Sequence, residues 1–173
     1  MKNEKRDWYF IVNDYCNFLS LAYNVPLIKV AAIMSALSPN NKFDQNCKDL
    51  ERFLLSGGLS KASTYQSQRD KAYTILHMEN YCEDSIKNIL GQGLKTRSFF
   101  ENIYRPETSD AVTVDLWQIR WAKKLNIIPM EGTLTQKRYK KIAARVKKYA
   151  KKLDIMPHQF QAITWANLRG EVF

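Results

Sequence analysis

Residues 86–121 read IKNILGQGLKTRSFFENIYRPETSDAVTVDLWQIRW, and the fold is decided in this stretch. Ile86, Ile89 and Leu90 put an apolar stripe on a short helix. Gly91-Gln92-Gly93 interrupts it, because two glycines one residue apart permit backbone angles that side chains forbid. Lys95-Thr96 opens the next helix, whose apolar face is Phe99, Phe100 and Ile103 and which ends before Pro106. Ala111-Val112-Thr113-Val114, with three β-branched residues in a row, reads as extended, and Asp115 follows at the start of a new helix. A helix from Lys95 to Tyr104 is ~15 Å long, and an extended return from Arg105 to Val114 reaches up to ~33 Å. Asp115 can therefore come back beside Lys95, so that an amine and a carboxylate face one cleft. The free backbone N–H groups of the glycine hairpin would lie next to them, where they can bind a phosphate oxygen.

The residues Leu90, Gly91-Gln92-Gly93-Leu94-Lys95-Thr96 and Val112-Thr113-Val114-Asp115 resemble a known pattern. It is that of the helix-hairpin-helix (HhH-GPD) DNA glycosylase superfamily, which includes endonuclease III and 8-oxoguanine DNA glycosylase. The usual hairpin there reads L-P-G-V-G-x-K-[TV]-A and is followed by V-[PA]-V-D-[TV]-H. The resemblance covers roughly Ala31 to Leu125. It implies an all-α, two-lobed fold, with the hairpin at about 84–104 in a lobe of about 27–125. The second lobe would be built from 1–26 and 126–173 of a single 173-residue domain. It further implies Lys95 as nucleophile and Asp115 as essential acid, with Gly91, Gln92, Gly93 and Thr96 on the DNA backbone. Three departures are visible. No proline stands between Leu90 and Gly91, Thr113 replaces the usual proline, and Trp117 stands where many members have histidine. At this length the chain is similar to minimal members of bacteria and bacteriophages.

The implied activity is excision of a damaged or modified base, with strand cleavage (AP lyase) through a lysine Schiff base. A base inside a duplex must first leave the stack. As the glycosidic bond breaks, positive charge develops on the sugar, and an ionised Asp115 would stabilise it. A lysine nucleophile must also shed its proton, which burial or neighbouring cations favour. If Lys95 only clamps a phosphate, water attacks instead. Two further alternatives stay open: another reaction on a flipped base, such as base modification of phage DNA, and a DNA-binding module without chemistry. Asp115 bears on the second, because a carboxylate beside phosphates repels the ligand unless it has a task; it also suits the N-cap of the following helix. A nucleotide-binding P-loop is rejected, since it needs Gly-Lys-[Ser/Thr] contiguous after a strand, and Leu94 intervenes here.

Outside this stretch the pattern is helical throughout. Trp8 to Tyr23 repeats its apolar residues at three and four. Leu27 to Leu37 is apolar nearly all round, which predicts a central, buried helix. Ser38-Pro39-Asn40-Asn41 stops it before a helix over Phe43 to Leu55. The position of Asn40 and Asn41 is similar to the family loop that fills the gap left by an extruded base; the alternative is an ordinary Pro-Asn turn. Arg69 to His77 predicts a further helix. Just before it, Tyr65 or Gln66 resembles the family's wedge into the base stack, or is simply surface loop. Thr135 caps a long helix to about Leu153, with an inward stripe of Tyr139, Ile142, Val146, Tyr149 or Ala150, and Leu153. Its other faces are crowded with lysine and arginine, which makes them either solvated or fit to track a DNA backbone. Gln159 to Leu168 forms the last helix, and His158 before it reads as a capping or packing residue.

Lys and Arg total 27 against 17 Asp and Glu, a net charge of +10 that favours a polyanionic partner, here double-stranded DNA. A monomer is expected. Cys16, Cys47 and Cys82 are isolated, so neither a zinc site nor a disulfide framework is suggested, and the iron–sulfur motif of endonuclease III is absent. No cofactor is implied beyond a monovalent cation of the kind such a hairpin can hold. No apolar run approaches the ~20 residues of a membrane span. Met1 to Asp7 is too charged for a signal peptide. The expectation is a cytoplasmic protein of a bacterium or a phage-infected cell.

Overall fold

The computed structural model describes residues 6–168, which contain nine helices and no strand. They are α1 (Trp8–Tyr23), α2 (Leu27–Leu37), α3 (Phe43–Leu55), α4 (Gln66–His77), α5 (Glu83–Leu90), α6 (Leu94–Tyr104), α7 (Leu116–Lys124), α8 (Gln136–Lys152) and α9 (Pro157–Leu168). The protein is all-α, as the periodicity predicts. Among the described residues no single helix is long and apolar enough to cross a membrane.

α2 is the central helix, buried at every position from Lys29 to Leu37 and packed against α1, α3, α4, α5 and α6. An all-apolar helix has no face to give to water, so its neighbours must surround it. Its one cation, Lys29, is turned to account. Its Nζ donates to the carbonyls of Leu76 (3.1 Å) and Met78 (2.5 Å) and closes the end of α4. Asp49 of α3 does the same for the loops. It accepts from Asn41 Nδ2, Gln45 Nε2 and the Ser63 backbone N–H, and so ties the α2–α3 turn to the α3–α4 connector.

Two boundaries differ from the sequence expectation. α4 begins at Gln66 rather than Arg69, because Arg69 Nη1 reaches back to the carbonyls of Ala62 (3.1 Å) and Thr64 (2.6 Å) and winds the connector onto the helix. α9 begins at Pro157, which suits a first helical turn. On α8 the inward stripe is Tyr139, Ile142, Val146 and Ala150, whereas Leu153, expected inside, is 59% exposed. The helix stops at Lys152, and the last turn leaves the face that the periodicity would have continued.

The apolar residues form two clusters, divided differently from the expected lobes. α1 gives Tyr9, Val12, Cys16 and Leu19 to the cluster built on α2–α6. Val112, Val114, Trp121 and Ala122 instead join α8 and α9 in the second cluster. The divide therefore falls in the return after α6, where the chain leaves one core for the other. α1 and α9 meet across it. Gln159 Nε2 donates to Asp7 Oδ1 (2.7 Å), and His158 Nε2 lies 2.7 Å from the Pro106 carbonyl. His158 is thus a buried packing residue, edge-on to Tyr9 and Phe10.

Candidate functional site

α5 and α6 are joined by Gly91-Gln92-Gly93. Gly91 sits at φ +90°, in the region only glycine adopts without strain, so the turn needs glycine at that position. Gly93 does not share this need. Its φ is −67° and a Cβ there would make only ordinary contact, so the expectation that both glycines hold forbidden angles is met at one of them. α6 starts with no side-chain cap bond, and its first helical bond runs from Arg97 N to Gly93 O (3.1 Å). The N–H groups of Leu94, Lys95 and Thr96 are therefore outside the helical ladder, beside the exposed Gln92 and Gly93.

The return after α6 first turns at Arg105, whose carbonyl accepts from the N–H groups of Thr108 and Ser109, and then runs extended and buried through Val112-Thr113-Val114. Buried extended backbone normally pairs in a sheet. None is present among the described residues, and side chains take its place. Gln161 Oε1 accepts from Thr113 N (2.9 Å), and Tyr139 Oη accepts from Val114 N (3.1 Å) while donating to Val112 O (2.7 Å). Asn102 Nδ2 donates to Thr113 Oγ1 (3.2 Å). Helices α6, α8 and α9 thus hold the strap that delivers Asp115. Removing the Tyr139 hydroxyl would leave a buried N–H unpaired, at a cost of about 1–3 kcal/mol. Tyr139→Phe is accordingly expected to lower the melting temperature by several degrees, which thermal melts check.

Asp115 caps α7, its Oδ1 accepting from Gln118 N (2.8 Å). Burial raises its pKa above the ordinary carboxylate value, and the Gln118 N–H and the Lys95 charge oppose that rise without cancelling it. Lys95, from the first turn of α6, lines the same cavity as Asp115. The juxtaposition expected from segment lengths is therefore present. Burial of Lys95, expected as an alternative to neighbouring cations, is not, because its side chain is exposed.

The cavity has a volume of about 160 Å³. Pockets for drug-sized ligands run to about 300–1,000 Å³, so this one suits a single planar ring system. Trp8, Phe43, Phe99 and Trp165 give it aromatic walls, and Thr113, Gln161 and Asn46 add polar atoms. Trp8 is the hub of these rings, 4.8 Å from Phe43, 6.2 Å from Phe99 and 5.8 Å from Trp165 between centroids. These wall residues come from α1, α3, α6 and α9. No local motif marks them, and the pocket lining could not be placed from the chain alone. For Trp8 and Trp165 the signal is large aromatics near the beginning and end of the chain, which becomes legible only once α1 and α9 are known to meet.

The remaining candidate residues are distributed unevenly. Asn41 lines the cavity, but its Nδ2 is committed to Leu37 O (3.3 Å) and Asp49 Oδ2 (3.0 Å), as in an ordinary turn. Asn40 is exposed at φ +58°, a conformation asparagine tolerates well. Tyr65 is the exposed residue before α4, and Gln66 is tied to its own helix through Asp70 Oδ1 (2.6 Å) and Arg69 Nη2 (2.5 Å). Neither lines the cavity. Trp117 carries the Arg120 guanidinium over its ring, 4.6 Å from the centroid. Among the described residues no group of three or more His, Cys, Asp or Glu is arranged to hold a metal ion.

No curated protein and no solved structure matches the chain. A family model does match, over residues 1–172, and it is that of DUF7178, described as a family of unknown function. The chain, with its glycine hairpin and its aromatic cavity holding an amine and an acid, belongs to that family.

Proposed function

We propose that this protein is a DNA glycosylase of helix-hairpin-helix type, with AP lyase activity through Lys95. One observation carries the reading: Lys95 and Asp115 line one aromatic-walled cavity beside the Gly91–Gly93 turn. Each part has a use in base excision. Aromatic walls receive an everted base by stacking, which is worth about 1–3 kcal/mol per base. That stacking offsets part of the few kcal/mol of unstacking. The open N-terminus of α6 suits a backbone phosphate. The Asp115 carboxylate meets the positive charge that develops at the sugar as the glycosidic bond breaks. Lys95, which also lines the cavity, would attack C1′ of the nucleotide whose base enters it. The bond to the base breaks as the bond to Nζ forms, and the departing base takes up the proton the amine loses; cleavage of C1′–O4′ then opens the sugar to the Schiff base, and loss of a C2′ proton expels the 3′ phosphate and nicks the strand. The exposed lysines of α8 (Lys140, Lys141, Lys148, Lys151, Lys152) supply further charge for a polyanion.

The test is incubation of the full chain with duplexes carrying single oxidised, alkylated or deaminated bases. Free base is expected from at least one of them, with a nick at the same position. Tight, salt-sensitive binding with no base released from any duplex would sink the enzyme reading and leave a DNA-binding module.

A further inference from the structure

The family resemblance brings with it a monovalent cation at the hairpin, and the residues present do not fit one. An alkali ion at such a turn is held by backbone carbonyl oxygens. Here two of those oxygens already accept from cationic side chains. Lys71, from the first half of α4, donates from Nζ to the carbonyl of Leu90 at 3.0 Å. Arg97, one turn into α6, donates from Nε to the carbonyl of Gly91 at 2.5 Å. A metal ion brought onto the same oxygens would sit within a few ångströms of two positive charges, and at that range like charges repel strongly even in a watery surface.

We infer that the hairpin carries its own cations, Lys71 and Arg97, and that they bind a phosphodiester group of nucleic acid where a metal ion would otherwise bridge. Both side chains are half-buried, held in place yet not closed off. A lysine ammonium has three N–H donors and a guanidinium five. One of each is spent on the hairpin carbonyls, which leaves the others for an anion. The turn itself is shaped around the ammonium. A Cβ on Gly91 would lie 3.3 Å from Lys71 Nζ, so glycine is required there for space as well as for its φ. The unladdered N–H groups at the start of α6 lie on the same turn and add donors of the same polarity. The bland account is that Lys71 merely closes the C-terminus of α5, as cations often do. It predicts a stability effect only.

This inference rests on the proposed reading that the hairpin meets DNA. The experiment is a fluorescence-anisotropy titration of a labelled duplex with the full chain, in potassium chloride and in tetramethylammonium chloride at equal ionic strength. The expected result is a Kd that agrees within about twofold between the two salts. In Lys71→Gln the slope of log K against log salt should fall by about one, as for the loss of one phosphate contact, while Lys71→Arg keeps the wild-type slope. A Kd that rises tenfold or more without potassium overturns the inference alone, and so does an unchanged slope in a folded Lys71→Gln. Absence of duplex binding in both salts overturns the inference together with the reading beneath it. The salt exchange uses the unaltered chain, so a potassium requirement overturns the inference even if Lys71→Gln fails to fold.

Discussion

Asp115→Asn is expected to lower base release by about 10²- to 10³-fold, the size of effect seen when one preorganised electrostatic group is removed from an active site. Asparagine caps a helix about as well as aspartate, so the Gln118 N–H keeps a partner and the variant should stay folded. Its stability at neutral pH should match or exceed that of the wild type. Burial raises the Asp115 pKa above its unfolded value. Between those two values the folded chain holds a proton that the unfolded chain has released. This favours folding at low pH, and the advantage is lost as pH rises through the folded pKa. Above it the buried charge is a net cost that asparagine does not carry. On the proposed mechanism activity runs the other way, because the carboxylate would have to be ionised to meet positive charge on the sugar. The acidic limb of the single-turnover profile should therefore fall at a pH above the ordinary carboxylate range. Melts at several pH values and single-turnover base release check both halves. Undiminished release by Asp115→Asn would remove the acid from the mechanism.

Lys95→Gln should abolish the covalent adduct that borohydride traps between protein and DNA, and with it the strand nick from β-elimination. Lys95 is exposed, so the variant's stability should stay within about 0.5 kcal/mol of the wild type. The loss would then be chemical. The two variants together separate the mechanisms. If Lys95→Gln still releases free base while Asp115→Asn does not, water is the nucleophile and the lysine clamps phosphate. Trapping that persists in Lys95→Gln would show that another amine does the work.

Much of the architecture was legible along the chain because helices announce themselves locally. Apolar residues at three and four, a proline opening α2, Thr135 before α8 and Asp115 before α7 each act within a turn or two of their own position. The burial of α2 followed from its having no polar face. Segment length alone placed Asp115 within reach of Lys95. What could not be read in this way depended on contacts between residues far apart in sequence. The exposure of Leu153, the start of α4 three residues early, and the membership of α1 in the first core each depend on a partner that periodicity does not name.

For the site itself the division follows the range of the interactions. The sequence by itself determined the glycine turn, the amine and the acid, since these are set by local backbone freedom and by the reach of a short connection. Only the tertiary structure decided what surrounds them. Trp8 and Trp165 become walls of one cavity because α1 and α9 meet from opposite ends of the chain. Lys71 reaches the hairpin because α4 packs beside α5. The strap bearing Asp115 stays extended because side chains from three other helices satisfy its backbone. Burial, and with it the raised proton affinity of Asp115, is a property of everything packed around a group rather than of its neighbours in the chain.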